Sequence, residues 1–301
     1  MLPTIREQPM PWLINAAQLD KFRKNQKALI ILDASYHMPD DPRDPKKEFI
    51  EKHIVNAHFL DLSAFQDPQS NLPNLLLLDE KRLSEKIGAL GIRNDYKLIF
   101  YDNSGLHTAC RALWMFKMVG HNPQQLYILD GGLAAWERYG GKTESGDVTY
   151  SPKHYSVKLQ PMYLRTLANI KANLQNPEEQ MVDVRHPVRF AGGPEPRPGL
   201  RTGHIPGSFC FPYTVFFDKE GLFLPLDKIR RRLMDVGIDI TSPIISSCGS
   251  GTTAPILNFV LDLLNQPNHA VYNGSWSEWG SETLYPGEQS IEERPVETCV
   301  G

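Results

Sequence analysis

PIISSCGSG (Pro243 to Gly251) and KLIFYDNSG (Lys97 to Gly105) are the two stretches on which the fold reading turns. Each is a short apolar run, the signature of a buried strand, closing on a polar residue and a glycine-bearing turn. They set Cys248 opposite Asp102, 248 − 102 = 146 positions apart. Outward from this pair the correspondence continues. ILDAS (Ile31 to Ser35) answers MVDVR (Met181 to Arg185), with Asp33 and Asp183 offset by 183 − 33 = 150. His53-Ile54 recurs as His204-Ile205, and LDGGLAAW (Leu129 to Trp136) as YNGSWSEW (Tyr272 to Trp279). Matches in one order at a nearly constant offset describe two copies of a single domain. The expected organisation is a first domain over 1–145, a linker over 146–161 and a second domain over 162–301. The linker is placed by a polar stretch with Gly, Ser and Pro, running from Gly140-Gly141 to about Pro161 without helical periodicity.

Within the second copy Met181–Val182, Ile244–Ser247 and Ala270–Tyr272 read as strands. After Cys248, apolar residues at 256, 257, 260, 261 and 264 form a helical stripe closed by Pro267. The first copy has its counterpart helix in Ala112–Val119, ended by Gly120 as a C-terminal cap. Strands alternating with helices predict an α/β fold, each copy a mostly parallel sheet flanked by helices.

Composition narrows the function. The 301 residues are 41% hydrophobic and 22% charged with a net charge of −3, so there is no general attraction to nucleic acid or to anionic lipid. Purely aliphatic runs such as Leu75 to Leu78 are too short to cross a bilayer. The opening MLPTIREQPMPWL has neither a signal-peptide apolar core nor the basic spacing of a transit helix, so the expected location is cytoplasmic. Four cysteines without metal-ligand spacing describe neither a disulfide scaffold nor a metal site, and no cofactor is expected. A dinucleotide site is unsupported, since G-x-G-x-x-G is missing after the strands.

In open α/β sheets ligands gather at the carboxyl ends of strands. Cys248 stands there, followed by Gly249, Ser250, Gly251, Thr252, Thr253 and a helix with Pro255 in its first turn. Such a loop turns successive N–H groups inward, and the helix N-terminus adds partial positive charge. Both favour the nucleophilic thiolate. The competing reading is an inert packed cysteine; the flanking glycines and hydroxyls favour the cradle. The same copy carries VRHPVRFAGGPEPRPGLRTGHIPG, where Arg185, Arg189, Arg197 and Arg201 share one Pro/Gly-rich loop. Guanidinium groups bind small oxyanions bidentately, so this loop is a candidate clamp above the sulfur. His204 reads as structural. So do Cys110 in a helix and Cys210 in a strand, while Cys299 lies in the C-terminal tail. Asp102 offers no thiol at the matching position and would repel an anion, so the first copy is expected to be silent.

The tandem repeat, GHIPG, the cysteine-centred loop and GSWSEW together resemble the two-domain rhodanese superfamily of sulfurtransferases, from about Trp12 to about Trp279. CGSGTT differs by one residue from the CGSGVT of its mercaptopyruvate-using members, and EPRPGLRTGHIPG is also similar to that group. The resemblance implies transfer of sulfur from 3-mercaptopyruvate through a persulfide on Cys248 to a thiol acceptor such as thioredoxin, or to cyanide, with release of pyruvate. It implies Cys248, Ser250 and Asp61 as catalytic residues. It implies Arg189, Arg197, Gly249, Gly251, Thr252 and Thr253 as substrate-binding ones. Two departures stand out: the relay histidine that should follow Asp61 falls on Asn74, and Asn273 replaces the usual Asp. Asn cannot take up a proton, so His107 is one candidate for a substitute base, an interface role being the alternative. The rival readings are a thiosulfate:cyanide sulfurtransferase, which favours basic residues beside the nucleophile, and a non-catalytic sulfur carrier. A related phosphatase would need Arg six positions after the cysteine, where Ala254 stands.

Overall fold

The structure, a computed structural model, describes residues 12–25 and 28–299. Residues 1–11, on which the expectation about targeting rests, lie outside the described residues.

The first copy contains β1 (Leu13–Ile14), α1 (Ala16–Asn25), β2 (Leu29–Asp33), α2 (Pro45–Glu51), β3 (His53–Ile54), β4 (Ala57–Phe59), α3 (Glu80–Ala89), β5 (Lys97–Tyr101), α4 (Ala109–Met118), β6 (Leu126–Leu129), α5 (Gly132–Arg138) and β7 (Thr143–Glu144). The second contains β8 (Leu164–Arg165), α6 (Leu167–Gln175), β9 (Gln180–Asp183), α7 (Pro187–Phe190), β10 (Phe209–Cys210), α8 (Leu226–Asp235), β11 (Ile244–Ser247), α9 (Ala254–Leu263), β12 (His269–Tyr272) and α10 (Ser275–Trp279). The sheets run β1-β6-β5-β2-β4 and β8-β12-β11-β9-β10, all pairs parallel. Matched strands occupy matched places, so the repeat read from the sequence is a repeat of topology. LIILD and KLIFY are central strands covered on both faces, which is why they are continuous apolar runs.

The recurring His-Ile pairs have a shared structural use. His53 Nδ1 meets Phe49 O at 2.6 Å and His204 Nδ1 meets Phe190 O at 2.8 Å. Each ring also lies flat on that phenylalanine, at 3.9 and 3.7 Å.

The helices that follow the two site loops, α4 and α9, are buried on every side, α4 throughout. One face of each covers its own sheet and the opposite face meets the other helix, so one continuous apolar core runs through both copies. An all-round apolar helix is what such double coverage requires. Gly120, at φ +82°, ends α4 in the left-handed conformation expected of a C-terminal glycine. Lys117 and Asp262 form an ion pair at 2.7 Å across the helix contact, and His269 reaches the same carboxylate at 2.9 Å.

Residues 145–160 carry no helix or strand. They are a strap rather than a free tether: Lys153 N donates to Gly88 O, and Lys158 and Gln160 N to Val119 and Met118 O. Tyr155 is fully buried, with its hydroxyl 3.0 Å from His121 Nδ1. The polarity of the surrounding residues hides this anchoring from a composition-based reading.

Burial works to raise the Asp262 carboxyl, but His269 and Lys117 outweigh it and hold it below the usual carboxylate range. Its stabilisation is therefore present above that range and lost as pH falls through the lowered value. Asp262→Ala leaves the buried Lys117 without its carboxylate and His269 Nε2 without its partner, and should cost about 3 kcal/mol at neutral pH. In denaturant melts, the gap from the wild type should close in acid.

Candidate active site

The loop after β11 is built around its carbonyls. Cys248 O accepts from Trp276 N at 3.0 Å, and Gly249 O from Ser277 N at 2.8 Å. Ser277 Oγ and Arg197 Nη1 reach the same Gly249 oxygen, at 2.8 and 3.2 Å. With these carbonyls held by the start of α10, the N–H groups of residues 249–253 find no protein acceptor among the described residues. Five unclaimed amides on a tight loop make an anion cradle, with the N-terminus of α9 beneath it. Cys248 itself is 1% exposed, its amide donating to Ser275 Oγ at 3.1 Å and its sulfur 3.9 Å from that hydroxyl.

Of the two loop glycines, only Gly251 has positive φ, at +76°. A Cβ there would stand 2.5 Å from Asn273 O. Gly249 has no positive φ. A Cβ there would make ordinary contacts, 3.5 Å from Arg197 Nη2 and 3.6 Å from Arg189 Nη2. The two arginines expected as a clamp thus close over the residue next to the nucleophile. The four-arginine loop divides. Arg185 is buried on Asp183 at 2.6 Å and over the Trp276 ring at 4.4 Å. Arg201 donates to Trp279 O at 2.7 Å, near the end of α10. Arg189 and Arg197 instead share Glu195, and Arg197 Nη2 is buried without a partner.

The other wall comes from the first copy. Asn74, at φ +59°, donates from Nδ2 to Thr252 Oγ1 at 2.8 Å and to Ser250 Oγ at 3.4 Å. Its Oδ1 accepts from Gln66 Nε2 at 2.6 Å, which fixes the amide as donor toward the loop. Ser250 and Thr252 hydroxyls are 3.1 Å apart. Thr253 sits at the N-cap of α9 without a side-chain cap bond. Arg111 of α4 reaches across to Gly251 O at 3.0 Å, Asn273 Oδ1 at 2.8 Å and Asn74 O at 2.6 Å. Its guanidinium is buried with no carboxylate among its hydrogen-bond partners, and burial lowers its pKa to about 10 even with the opposing influence of Cys248.

Asp61 is exposed and caps the turn Leu62–Phe65, its Oδ1 accepting from Ser63 N at 2.9 Å. No hydrogen bond joins it to Asn74, Ser250 or Cys248 among the described residues. His107 stacks on Phe217 of the second copy at 3.5 Å, an interface position, and burial lowers its pKa to about 4.

In the first copy the matching cradle is filled from within. Asp102 Oδ1 accepts from Ser104 N at 3.2 Å and Oδ2 from Ala109 N at 2.8 Å. Burial pushes this carboxyl up to about 7 against those two bonds.

A rhodanese-like domain pattern matches residues 15–139 and again 166–282. The chain belongs to the rhodanese-like family. Among relatives of this rhodanese-like chain is the mitochondrial thiosulfate/3-mercaptopyruvate sulfurtransferase 1 of Arabidopsis thaliana, 38% identical over 282 residues, covering 86% of this chain and 74% of that one. The human 3-mercaptopyruvate sulfurtransferase is 37% identical over 254 residues, covering 83% and 84%. The crystal structure of the 3-mercaptopyruvate sulfotransferase of Escherichia coli superposes with a TM-score of 0.80 at 31% identity, covering 89% and 99%.

Glu195, Arg111, Ser275 and Ser277 escape a sequence reading. Glu195 had a signal, an acid two residues before Arg197 in a basic loop. Arg111 had only the oddity of a charge inside the apolar run ACRALWMFKM. Gly251→Ala forces a side chain into the left-handed region and onto Asn273 O. It should cost about 2 kcal/mol or more and depress turnover with it, read as a paired loss of melting temperature and kcat.

Proposed function

We propose that this chain is a sulfurtransferase that takes sulfur from 3-mercaptopyruvate onto Cys248 and passes it to a thiol acceptor. The observation that carries the reading is the unclaimed amide cradle around Cys248, faced by Arg197 Nη2, a buried donor with no protein partner. Such a set of donors is completed by a small oxyanion bearing the sulfur to be transferred.

Arg189 and Arg197 hold the carboxylate and keto oxygen of the donor and orient its sulfur toward Cys248. The Cys248 thiolate forms an S–S bond to that sulfur while the donor's C–S bond breaks. The electron pair leaves on the enolate of pyruvate, whose charge the guanidinium groups stabilise. Transfer of the donor's thiol proton to this enolate, with Ser250 as the relaying hydroxyl, yields pyruvate and an anionic persulfide. The loop N–H groups hold the persulfide until an acceptor thiolate takes the outer sulfur and Cys248 regains its thiolate. Asn74 orients Ser250 and Thr252 but cannot accept a proton, so this route does not pass through Asp61.

The relatives named for 3-mercaptopyruvate support this donor, as does the lack of any basic side chain in residues 249–253. A relative named for thiosulfate as well keeps the thiosulfate reading as the competitor. In this reading residues 1–145 are the silent copy, 146–161 the connection and 162–301 the catalytic copy. Thioredoxin is a fitting acceptor, with no part for nucleic acid or membrane. A reducing cytoplasmic setting agrees with four free cysteines. Among the described residues, no helix is long and apolar enough to cross a membrane.

Intact-protein mass spectrometry after incubation with 3-mercaptopyruvate should show one added sulfur, absent in Cys248→Ser, and Cys248→Ser should release no pyruvate. Wild-type pyruvate release by that variant would overturn the assignment. Arg197→Ala should raise KM and lower kcat/KM for mercaptopyruvate roughly thirty-fold or more; unchanged steady-state constants would remove Arg197 from the clamp.

A further inference from the structure

Glu195 is the buried acid of the clamp. Its carboxylate accepts from Arg189 Nη2 at 2.7 Å and Nε at 3.1 Å, and from Arg197 Nε at 3.0 Å. Arg185 Nη1 stands 3.9 Å away, but that guanidinium is already matched by Asp183 at 2.6 Å. Burial by itself would raise the Glu195 carboxyl, and Arg189 followed by Arg197 more than reverses this, so it is held below the usual range and ionised.

The charges facing Gly249 can therefore be counted. Arg189 and Arg197 contribute two positive charges and Glu195 one negative, leaving a single net positive charge. Residues 249–253 add none. Arg111 lies on the opposite side of the loop, bound to Gly251 O and Asn74 O. Its charge faces the loop from the side of the first copy and is common to every donor that reaches Cys248.

We infer that Glu195 is a specificity-determining residue, trimming the arginine clamp to one net positive charge so that the site favours a monoanionic carboxylate donor over a dianionic one. Mercaptopyruvate carries one negative charge at neutral pH and thiosulfate two. Bringing a second negative charge within a few ångströms of a buried carboxylate is disfavoured, while a single charge finds its match in the clamp. This rests on the donor reading above and extends it, since it assigns the discrimination to the clamp as well as to the loop. Glu195 also fixes where the guanidinium groups point: with Arg189 Nε and Arg197 Nε taken by Glu195, and Arg197 Nη1 by Ser277 and Gly249 O, the partnerless Arg197 Nη2 is left beside Gly249.

The test compares the two donors on the wild-type protein, Glu195→Gln and Glu195→Asp, each checked for an unchanged melting temperature. Glu195→Gln keeps the shape and removes the charge. It should raise kcat/KM for thiosulfate relative to mercaptopyruvate by roughly tenfold, the factor one unit charge gives in a half-solvated site. Glu195→Asp keeps the charge and should keep the wild-type donor ratio, whatever it does to absolute rates. Equilibrium binding of sulfate against pyruvate gives the same comparison without turnover, and Glu195→Gln should tighten sulfate selectively. An equal loss on both donors with no change in sulfate-to-pyruvate preference, or a shifted ratio in Glu195→Asp, would overturn the inference. Failure of the wild-type protein to release pyruvate would overturn the donor reading instead.

Discussion

The carbonyl oxygens of Cys248 and Gly249 are gripped by the N–H groups of Trp276 and Ser277, and the chemistry of this protein depends on that grip. A peptide unit has two polar ends, and holding one end by hydrogen bonds commits the other to the opposite side. Here the oxygens of Cys248 and Gly249 turn toward α10, so the amides of Gly249 and Ser250 turn away from it. The same construction appears in the first copy, where Leu133 N donates to Asp102 O and Gly132 lies so close to that carbonyl that a side chain would collide with it. The recurring LDGGLAAW and YNGSWSEW segments are thus the clamps of the two site loops. They also carry the buried Trp136 and Trp279 that seat the clamp on the sheet.

The two copies solve the same electrostatic problem in different ways. A cradle of inward amides over a helix N-terminus demands negative charge. In the first copy Asp102 supplies a carboxyl group from within the loop, where Ser104 N and Ala109 N bind it. In the second copy Cys248 leaves the amides unclaimed, and Arg189 and Arg197 face the opening. The first copy nonetheless borders this loop, because Asn74 and Arg111 belong to it and form the wall behind Ser250 and Thr252. Its retention follows from the packing of α4 against α9, which places that wall by burying apolar surface on both faces of each helix.

Two departures from the family pattern meet in space. Asn273 Nδ2 donates to Asn74 O at 3.2 Å, and Arg111 binds both residues. A neutral amide at each position leaves Arg111 the uncompensated charge of that wall. Where the family resemblance implied a histidine, Asn74 stands as a donor whose orientation Gln66 fixes, and it binds the hydroxyls of Ser250 and Thr252.

The sequence by itself determined what depends on local order. The repeat, the parallel sheets, the loop after Ile244–Ser247, the helix behind it and a loop carrying four arginines follow from apolar periodicity, glycine placement and short spacings. Those signals act between neighbours in the chain, and they survive translation into structure because strands and helices form under the same local rules. Tertiary structure decided the rest. Asn74 meets Ser250 across 176 positions and Arg111 meets Gly251 across 140. It also gave the residues from 145 to 160 an anchored course, separated the clamping arginines from the structural ones at 185 and 201, and left Asp61 as a surface cap. Such assignments depend on which faces of two domains are pressed together, and the direction of a hydrogen bond across that contact leaves no periodic mark in the chain.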